Sequence, residues 1–313
     1  MAIVRGSAFL DGIIEFDIAF TGERGFMGAC WRLQDPENYE EFYLRPHQSG
    51  NPDANQYQPV FHGIDAWQLY TGEGYCAPTQ YVFNAWMHVK VVVSGSRAEV
   101  YIRDMEEPAV VVGALQRNPR TGAVGLTAGN FAPAAFSRFS FTPVSSPTLK
   151  GTPAAARKAR DGTVMHWLVS GLFPESTLTA HLPKGAERRF SWSSLRSEET
   201  GIANLARIQG TGRDSNTVFA RVVLRSDHSQ TVRMEFGFSD AVRIYLNGTA
   251  LYGGNDMYRS RDYRFLGTIG WFDEVYLPLK KGDNEVWMAV SENFGGWGVQ
   301  ARIGPAGGLL IRE

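Results

Sequence analysis

Two carboxylates two positions apart, Glu15 and Asp17, sit in a run whose other positions, Ile14, Phe16, Ile18 and Phe20, are apolar. On a strand this spacing puts both acids on one face, about 6.5 to 7 Å apart between Cα atoms. Paired acids suit glycosidic chemistry, in which one carboxyl protonates the leaving oxygen while the other attacks carbon or activates water. The same two side chains can instead bond sugar hydroxyls, or pair with Arg32 and Arg45. His47, His62 and His88 are the general-base candidates of the first half, because imidazole alone titrates near neutrality when unperturbed. Beside them Arg32 and Arg45 are suited to stabilising an oxyanion or a sugar carboxylate.

Residues 45–70 form the most unusual segment. Arg45-Pro46-His47 leads into a stretch rich in Ser, Gly, Asn, Pro and Gln, followed by Tyr57, Phe61, His62, Trp67 and Tyr70. This reads as a long irregular loop, of the kind that carries function on a β-scaffold. Rings stack on the apolar faces of pyranoses and polar neighbours bond the hydroxyls, so Arg32, Tyr43, Arg45, Trp67, Tyr70 and Lys90 are the ligand-binding candidates. The alternative is that Trp67 and Phe61 plug an edge of the fold while the polar residues cap turns.

The elements that position these residues are strands. Short alternating runs at 14–20, 26–33, 39–45, 66–70, 86–93, 98–103, 124–128 and 136–142 are separated by turn residues, and the chain carries 34 Gly. That pattern predicts an all-β fold of two β-sandwich, jelly-roll domains. Residues 144–162 lose the alternation and gain Pro, Ser, Gly and basic residues, which marks a linker between domains at 1–143 and 163–313. The second half resumes at 165–170, 218–225, 232–238 and 242–246, then 274–279, 285–290 and 299–303. Asn247-Gly248 is the dipeptide of a tight hairpin. Near 198–206 a helical reading is possible, and Gly201 argues against a long one.

Read together, the strands present one polar face. It would carry Glu15 and Asp17, Cys30 and Arg32, Glu41, Tyr43 and Arg45, and His88 and Lys90. Across the whole chain 31 Lys and Arg stand against 32 Asp and Glu, a formal charge of −1, with 43% hydrophobic residues. Such a balance predicts a soluble protein and excludes a generally basic nucleic-acid binder. No run approaches the roughly 18 apolar residues of a membrane helix. Residues 1–10 are too short and interrupted for a signal peptide, which is compatible with an extracytoplasmic mature form or with no secretion. Cys30 and Cys76 allow one disulfide or two free buried thiols, and lack the spacing of a zinc site.

The first half, through EFDIAF, GFMGACWRLQDPENYEEFYLRPHQSG, AWQLY and WMHVKVVVSGSRAEVYI, resembles the concanavalin A-like lectin/glucanase sandwich, and within it laminin-G-like and 3-keto-disaccharide-hydrolase-like domains. The second, through SDAVRIYLNGTALY and LPLKKGDNEVWMAVSENFGGWG, resembles galactose-binding-like jelly rolls. The first resemblance implies a glycan on a concave polar face. Family-16 glycoside hydrolases place a further carboxylate where this chain has Ala19 and Phe20, so that motif is incomplete. The second resemblance implies that residues 291–298 lie near where ligands or calcium sit; no other metal and no required cofactor is expected. The sequence thus predicts a carbohydrate-binding protein with no nucleic-acid or membrane partner. A keto-glycoside hydrolase or lyase and a non-enzymatic adhesion protein are the alternatives.

Overall fold

A computed structural model describes residues 1–129 and 131–312. The chain divides into two compact units, 1–155 and 156–313. Both are built from antiparallel strands, and among the described residues the only helical elements are short 3₁₀ turns. No helix of the structure is long and apolar enough to cross a membrane.

The strands of the first unit open with β1 (Ala2–Ile3), β2 (Gly12–Phe20), β3 (Met27–Asp35), β4 (Asn38–Leu44), β5 (Asn55–Phe61) and β6 (Ile64–Asp65). They continue with β7 (Met87–Ser94), β8 (Arg97–Ile102), β9 (Val110–Val112), β10 (Ala123–Ala128) and β11 (Ala134–Pro143). Among the described residues they make a six-stranded sheet, β1-β10-β3-β4-β5-β6, and a five-stranded sheet, β11-β2-β7-β8-β9. Alternation explains the packing. Ile14, Phe16 and Ile18 on β2, Val89, Val91 and Val93 on β7, and Met27, Ala29 and Trp31 on β3 all enter one core.

Two elements differ from the sequence reading. Residues 55–61 are strand β5 rather than loop, with Gln56 and Gln58 alternating against the core residue Tyr57. Residues 66–70, read as a strand, form a turn. Both differences come from composition: Asn, Gln and Pro59 mask the period of β5, and the aromatic content of 66–70 imitates a strand.

One polar group is enclosed on the core side of the six-stranded sheet. Glu40 is 0% exposed and accepts the Tyr57 hydroxyl, and its Oε1 lies 3.9 Å from the Arg32 guanidinium. Burial pushes its carboxyl up to about 7, against the pull of Tyr57 and Arg32.

Residues 144–162 are not a free linker along their length. The backbone amides of Lys150 and Gly151 bond the Glu99 carboxylate, and Ala159 N–H donates to the Glu199 carbonyl.

The second unit runs β12 (His166–Ser170), β13 (Trp192–Arg196), β14 (Ala203–Asn204), β15 (Thr217–Ser226), β16 (Gln230–Ser239) and β17 (Ala241–Leu246). It ends with β18 (Thr249–Asn255), β19 (Asp273–Leu279), β20 (Gly282–Ser291), β21 (Gly298–Ile303) and β22 (Leu309–Arg312). Among the described residues these form a seven-stranded and a four-stranded sheet. Asn247 and Gly248 turn β17 into β18 with φ of 50° and 83°, the left-handed pair that a tight hairpin requires. The segment 198–206 holds β14 and the start of a 3₁₀ turn, Leu205–Arg207, and no α-helix.

Candidate functional site

The single polar face expected from the sequence is two faces. β2 and β7 belong to the five-stranded sheet, while β3 and β4 belong to the six-stranded one. Glu15, Asp17, His88 and Lys90 therefore stand on one side of the sandwich, and Cys30, Glu41 and Tyr43 on the other. Period-2 alternation assigns a residue to a face of its own strand, but not the strand to a sheet.

On the five-stranded side every charge is answered by a neighbour. His88 Nδ1 lies 2.8 Å from Asp17 Oδ1 and its Nε2 3.3 Å from Glu15 Oε1. Asp17 also accepts Arg138, which, ahead of His88, holds its carboxyl below the usual carboxylate range. The Lys90 ammonium sits 4.0 Å above the Tyr101 ring and donates to the Met105 carbonyl at 3.2 Å. With both ring nitrogens of His88 facing carboxylates, neither is left to present to a substrate.

The six-stranded side is different. Register sets Gly125, Cys30, Glu41 and Gln58 in one row across β10, β3, β4 and β5, and Thr127, Gly28, Tyr43 and Gln56 in the next. Antiparallel partners directly opposite share a face, so these rows form a continuous polar floor. Gln58 donates to Glu41 Oε2 at 2.8 Å, yet its own Oε1 is buried without a hydrogen-bond partner, in a side chain 4% exposed. Crowding by protein raises the Glu41 carboxyl, and the bonds from Gln58 and Thr127 only partly oppose it. Asp65, at the end of β6, is raised to about 6, first by burial and then by the charge of Glu41. Tyr39 is raised by burial, then by Glu41. Glu41, Asp65 and Tyr39 all keep partial solvent exposure.

Aromatic rings close one end. Phe26 packs 6.0 Å from Tyr43, 5.4 Å from His47 and 5.6 Å from Phe131, and Phe131 is 59% exposed. Arg24 lies over both phenyl rings. The imidazole of His47 is pushed down by burial and by Arg24 and Arg45, and its Nδ1 is buried without a hydrogen-bond partner.

Several sequence candidates prove to be scaffold. Arg32 is 2% exposed and donates to the carbonyls of Leu10 and Gly95 and to Asp11. Arg45 is likewise buried, donating to the Asp53 carbonyl, the Tyr43 hydroxyl and Gln56 Oε1, so it orients the floor and leaves ligand contact to others. Tyr70 is 1% exposed and its carbonyl, with that of Trp67, accepts Gln56 Nε2. Trp67 is partly buried in the turn after β6. His62 is exposed at the tip of the β5–β6 hairpin, with φ of 50°. The three histidines thus occupy three separate places. Cys30 and Cys76 are free, buried thiols, and burial holds Cys30 up at about 12.

Sequence reasoning missed Tyr39, Gln56, Gln58, Asp65, Phe26 and Phe131 as members of the cleft. The alternation of Gln56 and Gln58 about Tyr57 was the available signal; no sequence signal places Asp65 beside Glu41. Among the described residues no group of three or more His, Cys, Asp or Glu converges as a metal would require. In the second unit, the amides of Asn293 and Phe294 in the 291–298 loop donate to Asp240 Oδ2, each at 2.7 Å.

No protein-family model matches the chain, and no curated protein matches its sequence. Among solved structures, it is similar to the carbohydrate binding module CBM66 from Bacillus subtilis, at 19% identity and a TM-score of 0.34, over 44% of this chain and 77% of that one. It is also similar to the GH43 protein BlXynB of Bacillus licheniformis, at 14% identity and a TM-score of 0.31. That match covers 45% of this chain and 29% of the GH43 chain, less than a third of its length. A family 35 carbohydrate binding module from an environmental isolate matches at 14% identity and a TM-score of 0.25, over 45% of this chain and 97% of that one.

Proposed function

We propose that the first unit, a concanavalin A-like sandwich of the laminin-G kind, binds a carbohydrate in the cleft on the outer face of its six-stranded sheet. The second unit is then an accessory jelly roll of the galactose-binding type, and binding requires no cofactor. The observation that carries this reading is the half-buried Glu41 carboxylate, oriented by the Gln58 amide at 2.8 Å on a floor of polar side chains. Such a carboxylate keeps accepting capacity for the hydroxyls of a ligand. Sugars supply such donors in arrays, and the cleft answers with acceptors: Glu41, Asp65 and Gln58. Phe26 and Phe131 offer the rings on which the apolar face of a pyranose stacks.

A second reading, cleavage of a glycoside by the Glu41–Asp65 pair, is favoured by one observation. Asp65 is held at about 6, where a carboxyl serves as an acid or a base near neutrality. The test for both is a glycan array with the intact chain, followed by calorimetry and product analysis on the glycans bound. Binding that falls at least tenfold in Glu41→Gln and in Gln58→Ala, with no product, supports recognition alone. Turnover lost in Asp65→Asn supports the second reading. Binding unaltered in all three variants contradicts both.

A further inference from the structure

The second unit holds a cavity of a different chemical character. Residues 171–191 cross the outer face of the seven-stranded sheet as a strap, and beneath it lies a pocket of about 160 Å³. Its lining is formed by Phe173, Leu178, Leu182, Phe190, Phe219 and Tyr245. Phe219 and Tyr245 rise from the sheet, with Trp287 and Ala289 behind them in the same small cluster.

Two features make this a preformed site rather than a packing fault. The strap is fastened along its length, so it cannot settle into the void. The Tyr245 hydroxyl donates to the Thr179 carbonyl at 2.7 Å and Arg243 to the Leu178 carbonyl at 3.1 Å. Leu182 N–H donates to the Gly248 carbonyl, Ala250 N–H to the Ala180 carbonyl, and Gly171 N–H to the Ser191 carbonyl. Next, the polar groups of the lining are already engaged. Thr177 Oγ1 bonds the Pro174 carbonyl and Thr179 Oγ1 the His181 carbonyl, each at 2.7 Å. A sugar entering here would give up the water around its several hydroxyls for walls that are mostly apolar.

We propose that this pocket binds a small uncharged aromatic molecule, about the size of benzene. A cavity of roughly 150 Å³ lined by Leu, Ile and Phe accepts benzene, and this pocket has that size and mostly Phe and Leu walls, with Thr177, Thr179 and Arg189 also in its lining. The surrounding rings of Phe173, Phe190 and Phe219 favour edge-to-face contact with an aromatic guest. Arg189 at the lining is exposed, which places its charge at the mouth. The inference is independent of the carbohydrate cleft, which belongs to the other unit.

The experiment is a titration of the intact, methyl-labelled chain with benzene, read from the Leu178 and Leu182 methyl resonances. Saturable shifts centred on those methyls are expected, with affinity reduced at least tenfold in Ala186→Leu, which fills the pocket from the short turn of the strap. If that variant does not fold, Leu182→Phe fills it from the strap and is read by the Leu178 methyls. Methyls that stay unmoved up to the solubility limit of benzene, or a filled variant that binds as tightly as the parent, would overturn the proposal.

Discussion

The two outer faces of the first sandwich are built from the same kinds of residue and differ in how their charges are answered. On the five-stranded face Glu15 and Asp17 both bond His88, Asp17 also pairs with Arg138, and Lys90 covers an aromatic ring. On the six-stranded face Glu41 and Asp65 repel each other while amides and hydroxyls hold them. A face whose charges are mutually compensated meets water at little cost and has nothing left to offer. A face whose half-buried carboxyls are crowded together keeps acceptors that a ligand can meet. Polarity alone does not separate wall from site; the partners do.

The largest expected effect separates the faces directly. Glu41→Gln and Asp65→Asn should each weaken glycan binding by tenfold to a hundredfold, whereas Glu15→Gln and His88→Ala should leave it within twofold, as calorimetry at pH 7.5 will measure. Because burial holds Asp65 protonated up to about 6, binding through its carboxylate should strengthen as pH rises through that value. Affinity lost on the five-stranded variants instead would break the comparison.

A second expectation concerns stability. Glu40 ionises near 7 in the folded unit and near its ordinary 4.5 when unfolded, so the native state binds the proton more tightly between those values. The contribution of Glu40 to stability, on the order of 3 kcal/mol at most, is therefore fully present below about pH 4.5 and is lost as pH rises toward 7. Urea denaturation of the parent and of Glu40→Gln at pH 4.5 and 7.5 checks this, the variant losing the share of Glu40 while that of Asp65 remains. Asp17 works in the opposite sense. Its lowered carboxyl stabilises the fold above the unfolded value of 3.8 and loses that contribution as pH falls through the folded value. The smallest effect belongs to Lys90→Met, which removes a half-buried cation–ring contact and the bond to the Met105 carbonyl and should cost about 1 kcal/mol.

Much of this architecture was legible in the residues. The run from Ile14 to Phe20 identifies a strand and its buried side correctly, because one buried face forces strict alternation. Asn247-Gly248 identifies a hairpin, because few other dipeptides accept two positive φ values. The site was less legible. Strands β2 and β3 look alike in sequence but enter different sheets, and that choice depends on long-range pairing with β7 and β10. Arg32 and Arg45 resemble ligand-binding cations until their carbonyl and hydroxyl partners are seen, and those lie up to 63 residues away. Asp65 joins the face of Glu41 only because β6 pairs with β5 at the sheet edge, in the row of Val60 and Tyr39.

The most direct test of the central claim is the location of a bound oligosaccharide in a crystal of the intact chain, soaked with the best array ligand. The account predicts sugar density over β3, β4 and β5, with a hydroxyl within hydrogen-bonding distance of the Glu41 carboxylate and a ring against Phe26 or Phe131. Sugar density over Glu15 and His88, or confined to the second unit while the cleft holds only water, would contradict it.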